Sequence, residues 1–440
     1  MKIGLVIALL GLAATGCSTP VIWYGHDLDR NRRFELRRED GRNHLHEAPR
    51  DHLRRTLWKS GGFDVVALAD LAFSPAGDRF AFAARRADRW HVVVDRKEGP
   101  AFAGVATLAF GPDGRQFVYA AQSSAGTWSV VQNGHLGQAF VGLVEGSFSF
   151  SPDGRRFAYA GIERDCVRVV INGQPGPCHA AVHTIRLAND PGRDLIVTLA
   201  EGQHVVASGT TTTPVPGLVD FIADAQVTMW AAVTRAPDQT SESVLVNGQV
   251  RDAAQKVRDL QLLPDGRLSY VARLADGWHV VLAGERRGPY ADVSRPVFDE
   301  TAAHHGYIAQ GTDGRSIVIV DGVEKASWPW AAALVLGPQG KFLYAVQRAE
   351  GPAIATNDRL YPVDTLVENT LVHSRDGRHW AALVGSLRAK QLSILVSGSR
   401  LIPFDSVEFF GAQAEGASKP EQLRRWVSAE LERQIRQARW

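Results

Sequence analysis

Short runs of alternating apolar and polar residues, divided by Gly-containing turns, follow one another along most of the chain. The plainest case is FSPDGRRFAYAG at 150–161, with FGPDGRQFVYAA at 110–121 and FSPAGDRFAFAA at 73–84. Alternation of period two on both sides of Asp-Gly predicts a β-hairpin, because Gly takes up the positive φ that closes the turn. TLAFG and SFSFS lead into such turns, and QFVYAA and RFAYAG leave them. RWHVVV, TWSVVQ and GWHVVL predict a third strand opening on Trp90, Trp128 and Trp278, and GPAFAGV, GQAFVGL and GPYADV a fourth. Asn133-Gly134 and Asn247-Gly248 join the third strand to the fourth.

The pattern has a period. Pro75, Pro112 and Pro152 stand 37 and 40 residues apart, Pro152 and Pro264 112, Pro264 and Pro338 74, and Pro338 and Arg375 37. Worn units fill the longer intervals at 187–200, 221–233 and 297–310. Four strands in about 37 residues leave no room for a crossover helix, so the strands are antiparallel. A repeat of this length signals a propeller, a solenoid or an array, and four-stranded units repeated radially are propeller blades. The expected fold is therefore all-β, a β-propeller over 30–411. RRFELRRED, RNHLHEA and SGGFDVV, before residue 67, predict second, third and fourth strands of a blade whose first strand is SVEFF at 406–410. Nine complete units and this composite one make about ten, expected as one ring closed by the two chain ends, with two rings or degenerate units outside the ring as the alternatives. Closure removes exposed sheet edges.

On the residues of FSPDGRRFAYAG, FGPDGRQFVYAA and LLPDGRLSYVAR, the repeat resembles the WD-like repeat of TolB-type periplasmic propellers, over roughly residues 30–411. That repeat also builds non-catalytic propellers of some peptidases. The resemblance implies the fold and says little about activity.

The N-terminus changes the picture of location. Met1-Lys2, an apolar run from Ile3 to Ala14 and the small residues before Cys17 form a signal-peptide pattern over 1–16. The run is too short to span a bilayer, which takes about 20 apolar residues. It resembles a bacterial lipoprotein signal, which implies lipidation of Cys17 and, with Ser18 following, sorting to the periplasmic face of the outer membrane. An ordinary cleaved signal peptide is the alternative. A linker is expected over 17–29.

Of three cysteines, Cys166 and Cys178 remain, flanking NGQPG on what reads as a hairpin. An oxidising compartment would let them pair, with two free thiols as the alternative. Charge is nearly balanced, 49 Lys and Arg against 47 Asp and Glu, net +2. That gives no electrostatic reason to expect nucleic acid.

Recognisable chemistry is sparse. Asp113, Asp153, Asp265 and Asp376 recur in the turns and read as turn formers. His44 and His46 share a strand face, and His304-His305 stand at a worn turn. His91 and His279 hold the same place in two repeats, which argues for packing. No zinc-ligand spacing, nucleophile elbow or phosphate loop occurs, so no metal, cofactor or catalytic set is expected. The tail at 412–440 is different material. Ser418 and Glu421 have capping-box spacing, and Leu423, Val427, Leu431 and Ile435, with Trp426 beside them, predict an amphipathic helix. Its stripe docks on the propeller, binds a partner or a second copy, or lies on a membrane surface. The expected function is a lipid-anchored, non-enzymatic scaffold for an envelope protein or peptide. The alternative is a propeller enzyme acting on glycan or peptide at its central pocket.

Overall fold

The computed structural model describes residues 5–7, 21–27, 32–49, 58–367, 370–374, 376–386, 391–398 and 400–404. The expected strand at 406–410, the helix at 412–440, Cys17 and the residues of the tail stripe lie outside them. Among the described residues the regular elements are strands, apart from two short 3-10 turns at Pro191–Arg193 and Pro338–Gly340.

Among the described residues the strands form ten antiparallel sheets in chain order, seven of them meanders in which each strand pairs with the next. The third sheet is typical: Gly104–Phe110, Phe117–Gln122, Trp128–Gln132 and His135–Phe140. This is the topology of a propeller blade. The chain divides into two compact units, Met1–Leu218 with Ala223–Trp230 and Val219–Ile222 with Ala231–Trp440.

Within each unit, consecutive sheets pack through the second strand's alternation. In Phe157–Ile162, Phe157 and Tyr159 pack with Val118 and Val130 of the preceding sheet. Ala158 and Ala160 pack with Val182 and Ile185 of the following one. The second unit repeats the scheme, with Phe342 and Tyr344 against Val318 and Ile308. Large side chains on one face and small on the other let neighbouring sheets interdigitate at normal packing density. Three second-strand tyrosines also meet an aromatic ring ending the preceding fourth strand: Tyr119 on Phe102, Tyr159 on Phe140 and Tyr307 on Tyr290. Burial pushes the Tyr119 hydroxyl up to about 12.

The turns carry their own chemistry. Gly114 has φ 72° and donates its N–H to the Gly111 carbonyl at 2.9 Å, while Asp113 accepts from Arg115 N–H at 2.9 Å. Asp153 accepts from the Ser151 hydroxyl and Arg155 N–H, which hold its carboxyl below the usual range. Asp265 and Asp376 accept from Arg267 and Arg378 N–H in the same way, as turn formers do. Between third and fourth strands, Asn133-Gly134 has φ 51° and 85°, a type I′ turn. The Asn133 side chain also accepts from Phe117 N–H, and Asn172, Asn357 and Asp321 do so from Phe157, Phe342 and His305. Worn units keep the turn without its glycine: Ala302, at φ 57°, still donates to Asp299.

The first sheet differs from the expected composite. Arg32–Glu39 pairs with Arg42–Pro49 as predicted, but Val21–Asp27 occupies its other side, in the place assigned to the C-terminal strand. SGGFDVV is not one fourth strand. Trp58–Lys59 pairs with Arg42–Pro49, Phe63 bridges Asn43, and Val65 begins the second sheet. Two adjacent glycines there let the chain leave one sheet and enter the next.

Register shifts occur between third and fourth strands in six sheets, and first strands are irregular as well. The third, seventh and ninth sheets bulge there, with Thr107, Asp259 and Ala333 at φ 54°, 57° and 56°. In the fourth, eighth and tenth sheets the first strand is split in two. A hydroxyl fills each gap. Ser147, Ser294 and Thr370 oxygens accept from Ala160, Ile308 and Leu383 N–H, which otherwise would lack a strand partner.

Candidate functional site

The irregular first strands of the second unit line a cavity of about 690 Å³, within the usual range for ligand sites. Lys256–Leu262 contributes Arg258 and Asp259 from its bulge, where Asp tolerates the left-handed backbone. The break between Asp292–Val293 and Val297–Phe298 places Asp292 and Arg295 on the wall, since Pro296 has no N–H to continue a ladder. Trp330–Leu336 adds Trp330 and a run of small and aliphatic residues.

Arg258 organises one side. Its Nη2 donates to Asp292 Oδ1 at 2.6 Å and to the Val293 carbonyl, and its Nε lies 3.7 Å from Asp259 Oδ2. Its guanidinium sits 4.2 Å from the centre of the Trp278 ring, a cation–π distance. Arg295 is held differently. Its Nη2 donates to Gln261 Oε1 at 3.2 Å, and Gln261 in turn donates to the Pro296 carbonyl at 3.0 Å. Two carboxylates thus face Arg258, while Arg295 is bound to a neutral amide. Trp330 is 46% exposed.

Of these residues only Trp278 was singled out from the sequence, as the start of a third strand. A signal was present for one of the others: in register with the turns, Arg258 replaces Ala69, Ala106 and Ala332, whereas Asp259 matches Asp70.

The sequence-predicted residues fall elsewhere. Cys166 and Cys178 form a disulfide, with Cα atoms 5.8 Å apart, beside Val167–Ile171 and on Gln174–His179. Among the described residues, one group of three possible metal ligands gathers, Glu163 with these cysteines. The disulfide takes both sulfurs, and Arg168 Nε donates to Glu163 at 2.8 Å. His91 Nδ1 lies 3.2 Å from the Gly99 carbonyl, and His279 is buried, the packing roles their equivalent positions indicated.

No protein-family model matches the chain, and no curated protein sequence matches it. Among solved structures, it is similar to a crystal structure described as the eukaryotic initiation factor, with 15% identity and a TM-score of 0.41 over 74% of this chain and 94% of that one. It is also similar to the β-propeller domain of Myceliophteria thermophila Cps50 (Swd1), at 13% identity and TM-score 0.28 over 57% and 96%. The β-propeller domain of the Trilobed protease from Pyrococcus furiosus gives 11% and 0.28 over 58% and 90%. No activity is carried across at these identities and scores.

Proposed function

We propose that the chain is a lipid-anchored binding scaffold of the bacterial envelope, facing the periplasm, whose cavity receives a protein segment or peptide. The cavity carries this reading: the charged side chains of Arg258, Asp259, Asp292 and Arg295 line it together with an exposed tryptophan, Trp330. A rigid stack of sheets holds such a wall in place, and its polar groups are fixed by one another. The signal-like segment ending at Cys17 supports export and anchoring, and the predicted tail helix around Trp426 offers a second surface. Near-neutral charge supports a protein partner over nucleic acid.

A second reading, a hydrolase or lyase of glycan or peptide, draws on the same cavity. Asp259 and Asp292 flank Arg258 there. Photo-crosslinkers at Trp330 and at Trp426 in intact cells separate the readings. A reproducible protein adduct at either position supports the scaffold. No adduct at either, with turnover of a peptidoglycan or peptide substrate that Asp259→Asn or Asp292→Asn abolishes, supports the enzyme.

A further inference from the structure

Resting on the peptide-binding reading, the cavity's charges point to one part of a peptide. Arg258 faces two carboxylates, Asp292 at 2.6 Å and Asp259 more loosely at 3.7 Å. One guanidinium balances one of them, so this side retains an acceptor for N–H groups. Arg295 has only the Gln261 amide at 3.2 Å, and its charge is unbalanced by any ion pair among the described residues. Trp330, Leu334 and Leu371 supply an apolar wall in the same cavity. The wall therefore offers a spare cation, a spare acceptor and an exposed aromatic face.

We infer that the cavity captures the free C-terminus of a peptide whose last side chain is apolar. The terminal carboxylate pairs with Arg295, whose forked donors match it in two places. The amide N–H next to that carboxylate reaches the acceptor side at Asp259. The final side chain lies against Trp330, where it exchanges water for an aromatic face. Complementarity is chemical at each point: anion to cation, donor to acceptor, apolar to apolar. Internal segments of a chain lack the carboxylate and lose the Arg295 pair. Capture of a terminal carboxylate is a known way to read peptides by their ends.

The test is calorimetric titration of the full chain with acetyl-Ala-Ala-Phe as the free acid and as the C-terminal amide. The free acid is expected to bind at least tenfold more tightly than the amide. Arg295→Gln is expected to bring the free acid down to the amide's affinity and leave the amide unchanged. Trp330→Ala is expected to weaken both about equally. Both substitutions are at exposed positions, and thermal unfolding checks that each variant is folded. Equal binding of acid and amide by the unsubstituted chain overturns the terminus inference, and sensitivity of both to Trp330→Ala then keeps the peptide site. Loss of acid and amide binding together in Arg295→Gln also overturns it. If neither probe binds, the inference fails, and the crosslinking at Trp330 decides the broader reading separately.

Discussion

His373 stands where the repeat places an aromatic ring, in register with Phe110 and Phe150. It packs on Gly337, whose Cβ, if it had one, would lie 2.6 Å from the imidazole Cγ; Phe150 sits over Gly111 in the same way. Both ring nitrogens are buried without a hydrogen-bond partner. Burial, and secondarily the Lys341 charge, push its pKa down to about 4 from 6.5. The unfolded chain therefore binds a proton that the fold rejects. Stability from the neutral ring is fully present above pH 6.5 and is lost as pH falls toward 4. One pKa unit corresponds to about 1.4 kcal/mol, so the whole separation amounts to about 3.4 kcal/mol. Roughly 2 kcal/mol of that disappears between pH 7 and pH 5. His373→Phe restores the repeat's ring and removes the titration. Urea unfolding of both proteins at pH 7, 6 and 5 measures the difference, in which other titrating groups cancel. The wild type is expected to lose about 2 kcal/mol more than the variant on going to pH 5. Parallel loss in the two proteins would refute a buried neutral imidazole at this position.

Replacing Cys166 and Cys178 by Ser is expected to lower stability by about 3 kcal/mol, since the bridge closes a short loop, and a reductant should reproduce the loss only in the wild type during chemical unfolding. Ser147→Ala leaves the Ala160 N–H buried without its acceptor, an expected cost of about 1–3 kcal/mol; hydrogen exchange at Ala160 should accelerate more than at Tyr159, and equal acceleration would discount the hydroxyl's bridging role. Cys17→Ser is expected to abolish radiolabelled palmitate incorporation and move the protein from membrane to soluble fractions, whereas retention in the membrane would exclude Cys17 as the anchor.

The hairpins and their spacing could be read from the chain because their causes are local. A Pro-Asp-Gly turn is closed by Gly114 and Asp113 within a few residues, and the Phe-Ala-Tyr-Ala alternation assigns each side chain a face whatever lies beyond it. The cysteine pair was equally local, twelve residues apart across one hairpin. Even the worn turns announced themselves, because Asp299 keeps its acceptor role where Ala302 has replaced glycine.

Other features needed the sheets assembled. Val21–Asp27 beside Arg32–Glu39 follows no repeat, so no pattern assigned it to a sheet. The split first strands depend on whether Ser147, Ser294 and Thr370 reach an N–H on the next strand, a distance that spacing does not give. The cavity is more remote still: Arg258, Asp292 and Trp330 come from three successive sheets. Period and turn chemistry act over a few residues, so the chain alone fixed the blade and its repetition. A site drawn from several blades depends on how far each first strand departs from regularity, and that is settled by packing between sheets, where the repeat's rules no longer apply.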